Sequence, residues 1–310
     1  MKAIVTTRYG PPEVLEVRDI GKPEPRPNEV LVRVQATTVS AGDIKMRSLN
    51  LPTAQKFMAR LFLGFSKPKK DILGMEVAGV VEAAGEDVTK FKEGEHVFGS
   101  TLWSDLGGYA QFKCLPEDGV IALMPANVTF DEAAPVPGGG LAAAKVLQKA
   151  NIESGQKVLI YGASGSVGSY AVQIAKHYGA SVTGVCSASN LEMVRSLGAD
   201  HLVDYREEDF TKGNEEYDVV FDAVDRLPSS QAKNVLKEDG TYLNVAKSSG
   251  GMGRAEDHIG YLMFLKNLIE SGELSSVIDR TYNFDEIVEA HRYVESGHKR
   301  GNVILKVNPE

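Results

Sequence analysis

Gly162, Gly165 and Gly168 recur at every third position directly after the β-type run Lys157-Val-Leu-Ile-Tyr161, and Val167, Ala171, Ile174 and Ala175 follow at helical spacing. Strand, glycine turn and helix in that order form a clamp for the pyrophosphate of a dinucleotide. Gly162 suits the tight turn, Gly165 lets the backbone approach the anion, and Gly168 lets the new helix lie against its strand. The anion would be held by Ser164 and by the N–H groups at the helix start, near Ser166 and Val167. The helix dipole adds to that attraction, so no cationic side chain is needed.

A choice between the two nicotinamide dinucleotides is made about 20 residues further on, where an NAD site places Asp or Glu on the ribose hydroxyl. Here the second strand, 181–186, runs into Ser187-Ala-Ser-Asn190 and carries no carboxylate at its end. Ser187 and Asn190 offer neutral donors that tolerate a phosphate, although both are also ordinary helix caps. The third strand ends at Tyr205, next to Arg206, whose guanidinium would neutralise a 2′-phosphate. NADP(H) is the expected cofactor. Asn244, Val245 and Ala246 close the fifth expected strand, at the carboxyl edge where an open α/β sheet binds its ligand, so their backbone is expected to meet the nicotinamide.

The elements that must position these residues are legible in the periodicity. Up to about residue 124 the chain alternates in short runs broken by Gly and Pro, as in Glu29-Val-Leu-Val-Arg-Val-Gln35. From about 130 the period changes to strand–helix alternation, with strands at 157–162, 181–186, 201–205, 218–224 and 241–246, the pattern of a doubly wound parallel sheet. The expected fold is therefore α/β, with a β-rich domain over 1–124, completed by 264–310, and a Rossmann cofactor domain over 125–263. Asp131 to Ala150 is expected as a helix interrupted at Gly138-Gly-Gly140.

The 310 residues carry a net charge of −8, which argues against a general nucleic-acid or anionic-membrane surface. Cys114 and Cys186 form no metal-type or redox pair, and nowhere are 18 consecutive residues apolar. A cytoplasmic protein with no membrane partner is the expectation.

The fragments Met1-Lys-Ala-Ile-Val, Pro25-Arg-Pro-Asn-Glu-Val-Leu-Val32, Gly74-Met-Glu-Val-Ala-Gly-Val-Val, Phe91-Lys-Glu-Gly-Glu-His-Val-Phe-Gly99, Gly107-Gly-Tyr-Ala-Gln-Phe112 and the glycine turn resemble the medium-chain dehydrogenase/reductase superfamily. More narrowly, the chain resembles its zinc-independent quinone oxidoreductase branch. The resemblance implies a GroES-like β domain, a Rossmann domain, an active cleft between them and commonly a homodimer. Only 17 residues separate Ala246 from Phe264, so the strand that commonly pairs across the dimer is expected to be shortened or lost. Gly301 and Asn302 resemble a C-terminal cofactor contact of the family.

Zinc alcohol dehydrogenases of the superfamily hold a catalytic metal where this chain has Ser40, Met75 and approximately Gly138, so no metal is expected. Without a Lewis acid, alcohol oxidation is disfavoured, whereas a quinone or an α,β-unsaturated carbonyl is already electrophilic. The expected activity is NADPH-dependent hydride transfer to such a small molecule. The alternatives are a metal-free alcohol or aldehyde oxidoreductase and a non-catalytic NADPH sensor. Catalytic candidates come from the Ser40–Lys45 stretch, expected as a loop. Lys45 stands where related quinone reductases often carry Tyr and would donate to the developing oxyanion, unless it is simply solvated. Asp43 matches a recurrent acidic position and is either catalytic or a structural cap. Residues 46–70, with the apolar stretches 46–52 and 59–65, are expected as either a rim over the substrate or ordinary core.

Overall fold

The computed structural model describes residues 1–50, 56, 60–61, 64–248 and 254–307, which divide into two compact units: 1–138 with 254–262 and 278–310, and 139–253 with 263–277.

The first unit opens with β1 (Lys2–Thr6) and β2 (Leu15–Asp19), an antiparallel pair. β3 (Glu29–Thr38) follows, then helix α1 (Ala41–Ser48), β4 (Glu76–Ala84), β5 (His96–Ser100), β6 (Phe112–Pro116), β7 (Ile121–Leu123) and the short helix α2 (Phe130–Ala133). β3 is the organising strand, because its run of Val, Thr and Ala is buried along almost its whole length and pairs antiparallel with both β4 and β6. Val30, Val32 and Val34 meet Val77, Val81, Val97 and Leu115 in one apolar cluster. Each such fully buried side chain contributes about 1.5–3 kcal/mol.

The second unit contains α3 (Leu141–Leu147), β8 (Lys157–Tyr161), α4 (Ser166–His177), β9 (Ser181–Cys186), α5 (Leu191–Ser196), β10 (His201–Asp204), β11 (Tyr217–Asp222), α6 (Ser229–Ala232), β12 (Leu236–Asn244) and α7 (Val245–Ser248). Its strands are all parallel in the order β10-β9-β8-β11-β12. The order reverses at β8, so the crevice for a ligand lies at the carboxyl ends of β8 and β11.

α8 (Glu256–Glu270) begins eight residues before the Phe264 start expected from sequence. β13 (Ile278–Asn283), α9 (Ile287–Glu295) and β14 (Asn302–Lys306) complete the first unit, where β14 pairs with β13 on one side and β3 on the other.

The structure moves two expected domain boundaries and turns one expected loop into a helix. The first unit runs on to Gly138 instead of ending near 124, because α2, capped by Thr129, packs on β3 and β4 and Phe130 sits against the His96 ring at 4.8 Å. Residues 263–277 join the second unit instead of the first, tied there by Gln173 to Ser275, Tyr170 to Ser276 at 2.7 Å, and Phe264 stacked on Tyr178. Ser40–Lys45 is the start of a helix, not a loop: Ser40 and Asp43 form a reciprocal capping box that nucleates α1. The expected helix over 131–150 is α2, a π-type turn at Val136–Gly140, and α3. Within the stretch read as rim or core, 46–70, residues 51–55, 57–59 and 62–63 lie outside the described residues.

Candidate active site

The glycine turn after β8 has the geometry of a phosphate cradle. Gly162 lies at φ +80°, and a Cβ there would meet Val224 at 2.5 Å. A Cβ on Gly168 would lie 2.1 Å from the carbonyl oxygen of Gly162, so only glycine lets α4 approach the strand this closely. Gly165 differs from both. It is the N-cap of α4, its backbone is extended (φ −79°, ψ 176°), and a Cβ would meet nothing nearer than 3.4 Å. No side chain caps the helix at this position, which leaves its N-terminal end open to an anion.

Beside the turn, Asn190 Nδ2 donates to both Ser164 Oγ and Ser187 Oγ, each at 3.2 Å, so these three residues sit together. Arg206 and Tyr205 stand at the end of β10, with the guanidinium 5.7 Å from the Tyr205 ring and both side chains exposed. Asp204, which sequence reasoning passed over, orders this corner: its carboxylate accepts from Ala188 N at 3.1 Å and Arg206 N at 3.0 Å.

At the end of β12, Asn244 is a brace. Its Nδ2 donates to Asp222 at 3.0 Å and Asp225 at 2.8 Å, while its Oδ1 accepts from Ala246 N and Lys247 N and so caps α7. Ala246 and Lys247 are held by this side chain, with Val245 between them and Asn244. Gly301 and Asn302 belong to the first unit, where Gly301, at φ +56°, precedes the buried Asn302 that opens β14.

A buried polar chain runs through the first unit. The Arg47 side chain is fully buried; its Nε donates to Gly10 O at 3.2 Å, its Nη2 to Glu295 at 2.9 Å, and its Nη1 faces His291 Nδ1 at 3.2 Å. A guanidinium can only donate, so Nδ1 accepts and the imidazole proton sits on Nε2, directed at the Tyr109 hydroxyl 3.2 Å away. Burial, and next the Asp43 charge, raise the Tyr109 hydroxyl well above its ordinary value, so it stays neutral. Asp43 receives Ser40 N at 3.0 Å, Ser40 Oγ at 2.6 Å and Gly74 N at 3.1 Å. Burial, and next the Arg47 charge, push His291 down to about 3, so the ring is neutral. Burial raises the Asp43 carboxyl, and the hydrogen bonds from Ser40 and Gly74 pull it back. Ser40 and Asp43 are thus committed to holding the start of α1, and Lys45 points from the exposed side of that helix.

The positions that match metal ligands in zinc relatives do not fit zinc. Ser40 Oγ donates to the Asp43 carboxylate, and the Met75 thioether lies against Gly42. The space beside Gly138 is filled by the carboxyl of Glu76, where a Cβ would fall 1.6 Å from Oε1. Among these there is neither thiolate nor imidazole. No group of three or more His, Cys, Asp or Glu that could hold a metal ion occurs among the described residues.

Sequence reasoning weighed Met75 and missed its neighbour. Glu76 is only 5% exposed and accepts from Thr38 Oγ1 at 2.8 Å. Burial raises its carboxyl to about 8; the Thr38 hydrogen bond and the Lys299 charge oppose the rise, and the Asp43 charge adds to it. Lys299, whose Nζ donates to Gly301 O at 2.6 Å, is drawn down to about 8 by burial against the pull of Glu76 and Asp279.

The comparisons with known proteins agree with this architecture. Residues 26–126 match the alcohol dehydrogenase GroES-like domain and residues 197–305 the zinc-binding dehydrogenase domain. The chain is 34% identical to the 2-methylene-furan-3-one reductase of Solanum lycopersicum, covering 100% of this chain and 80% of that one. It is also 34% identical to the chloroplastic NADPH-dependent alkenal/one oxidoreductase of Arabidopsis thaliana, covering 98% and 79%. The solved quinone oxidoreductase of Coxiella burnetii superposes with a TM-score of 0.85 at 31% identity, covering 99% of both chains. The chain therefore belongs to the medium-chain dehydrogenase/reductase superfamily, in its quinone oxidoreductase branch.

Proposed function

We propose that this protein is a zinc-independent, NADPH-dependent reductase that passes hydride to an α,β-unsaturated carbonyl or a quinone. The observation that carries the reading is the open Gly165 face at the uncapped start of α4, in a chain whose metal-matching positions hold Ser40, Met75 and Gly138. NADPH, when bound, supplies the hydride. The N–H groups of Ser166 and Val167, with Ser164, would hold the pyrophosphate, and Ser187, Asn190 and Arg206 would take the 2′-phosphate beside Tyr205. Val245 and Ala246, braced by Asn244, would border the nicotinamide, with Gly301 and Asn302 as a second contact. Lys45, with Asp43 and Ser40 behind it, is the proposed donor to the substrate oxygen.

The names of the two plant relatives favour the conjugated carbonyl, because one is called an alkenal/one oxidoreductase and the other a methylene-furanone reductase. Such acceptors need positioning and exclusion of water more than activation. A cytoplasmic setting suits the two free cysteines, although the Arabidopsis relative is named chloroplastic. No described helix is long and apolar enough to cross a membrane. A homodimer is proposed from the family likeness, and sizing by light scattering decides it.

The test is the initial rate of NADPH and NADH oxidation with an enone and with a benzoquinone, in the presence of a strong chelator. Chelator-insensitive turnover that prefers NADPH supports the reading. NADPH binding without acceptor-dependent oxidation would replace it with a nucleotide sensor.

A further inference from the structure

Glu76 is a buried carboxyl to which the scheme above gives no task. It opens β4, is held by Thr38 through Oε2 alone, and lies against Gly138, whose missing side chain leaves room for it. Oε1 has no hydrogen-bond partner among the described residues and is directed at Gly138, so this half of the carboxyl is committed to no other protein group. A carboxyl only 5% exposed would be costly to keep as an unsupported anion. The Lys299 ammonium, anchored on Gly301 O, is the cation that bears on it.

We propose that Glu76, backed by Lys299, is the acid that protonates the reduced acceptor; this rests on the reductase reading above. As hydride arrives at the β-carbon of an enone, the C=C pair shifts to join the α-carbon to the carbonyl carbon, and the carbonyl pair moves onto oxygen. The C=C pair of the resulting enolate takes the proton of Glu76 at the α-carbon, and the pair on oxygen re-forms the carbonyl. The carboxylate left behind is stabilised by the Thr38 hydroxyl and the Lys299 charge until water restores the proton. NADPH, one proton and the enone thus become NADP⁺ and the saturated carbonyl.

The charges around Glu76 set when the acid is loaded. Asp43 on α1 raises its proton affinity and Lys299, before β14, lowers it; Tyr109, itself held neutral, also faces it. Asp279 on β13 bears on Lys299 from the other side. With the carboxyl at about 8, Glu76 carries its proton at neutral pH and loses it on the alkaline side.

The test compares the wild type with Glu76→Gln, which keeps the side-chain shape, and Lys299→Met. Infrared difference spectra across pH should show a protonated-carboxyl band in the wild type that disappears with a midpoint near 8, is absent from Glu76→Gln, and shifts to higher pH in Lys299→Met. With an enone, Glu76→Gln should lower kcat about 100-fold and remove the alkaline fall in rate, with NADPH affinity unchanged. A Glu76→Gln enzyme with kcat within about twofold of wild type, or one that retains the band, overturns the proposal while leaving the reductase reading intact. A wild type that binds NADPH and reduces no enone overturns both. If Glu76→Gln does not fold, an unshifted midpoint in Lys299→Met overturns the proposal by itself.

Discussion

Alanine at Gly165 and alanine at Gly168 should fail in opposite ways. At Gly168 the added methyl would sit 2.1 Å from the Gly162 carbonyl oxygen and 2.8 Å from Ala163 Cα, both backbone atoms. Neither can rotate away, so the helix must shift off its strand. Overpacking of this kind costs about 1–3 kcal/mol or more. At about 2–4 °C per kcal/mol for a unit of this size, the melting temperature should fall by roughly 2–12 °C. At Gly165 the backbone is one any residue adopts, and the methyl meets nothing closer than 3.4 Å, so stability should change by less than about 1 kcal/mol. The same methyl would occupy the space the pyrophosphate has to enter. Losing one charge-assisted hydrogen bond costs about 1.5–3 kcal/mol, which raises the Kd for NADPH about 10- to 150-fold. Differential scanning fluorimetry and fluorescence titration with NADPH read the two quantities independently. A Gly165→Ala protein that binds NADPH like the wild type would refute the cradle.

Installing the missing carboxylate, Ser187→Asp, should weaken NADPH binding by repulsion of the 2′-phosphate and move the ratio of kcat/KM toward NADH by at least about tenfold, with Arg206→Ala moving it the same way. Truncating Arg47 to Ala strands His291 and Glu295 without their buried cation, and chemical denaturation should register a loss of about 3–5 kcal/mol. His291, held neutral down to about 3, binds its proton in the unfolded chain near its ordinary pKa and not in the folded one. The His291 contribution to stability is therefore steady above about pH 6.5 and falls by about 1.4 kcal/mol per pH unit below it, until the folded ring also protonates. Denaturation midpoints of His291→Gln should lack that acid slope.

The cofactor unit was the more legible half, because its signals are local. A strand, a glycine triplet and an amphipathic helix lie next to one another in sequence, and β8 and α4 form within a residue of where the pattern predicts. The absence of a carboxylate at Ser187 is likewise visible without knowing any contact. The first unit hides its chemistry in long-range pairing. Glu76 finds Thr38 from 38 residues away, and Arg47 finds His291 across 244. The half-buried Lys299 looks in sequence like one more solvated cation in a His-Lys-Arg run. Gly138 reads as part of a helix break, whereas its consequence is the room it leaves for a carboxyl on another strand. The domain boundary was misplaced for a related reason: the packing of Phe130 on His96, which draws 125–138 into the first unit, has no periodic signature.

The central claim is that hydride passes from NADPH to the carbon of a conjugated acceptor without a metal. Its most direct test is to incubate the chelated protein with an enone and NADPH deuterated at the transferring position of the nicotinamide, and to locate the label in the product by mass spectrometry and NMR. Deuterium at the β-carbon of the saturated carbonyl is the predicted result. Label at the carbonyl carbon of an alcohol, or product formed only when zinc is restored, would contradict it.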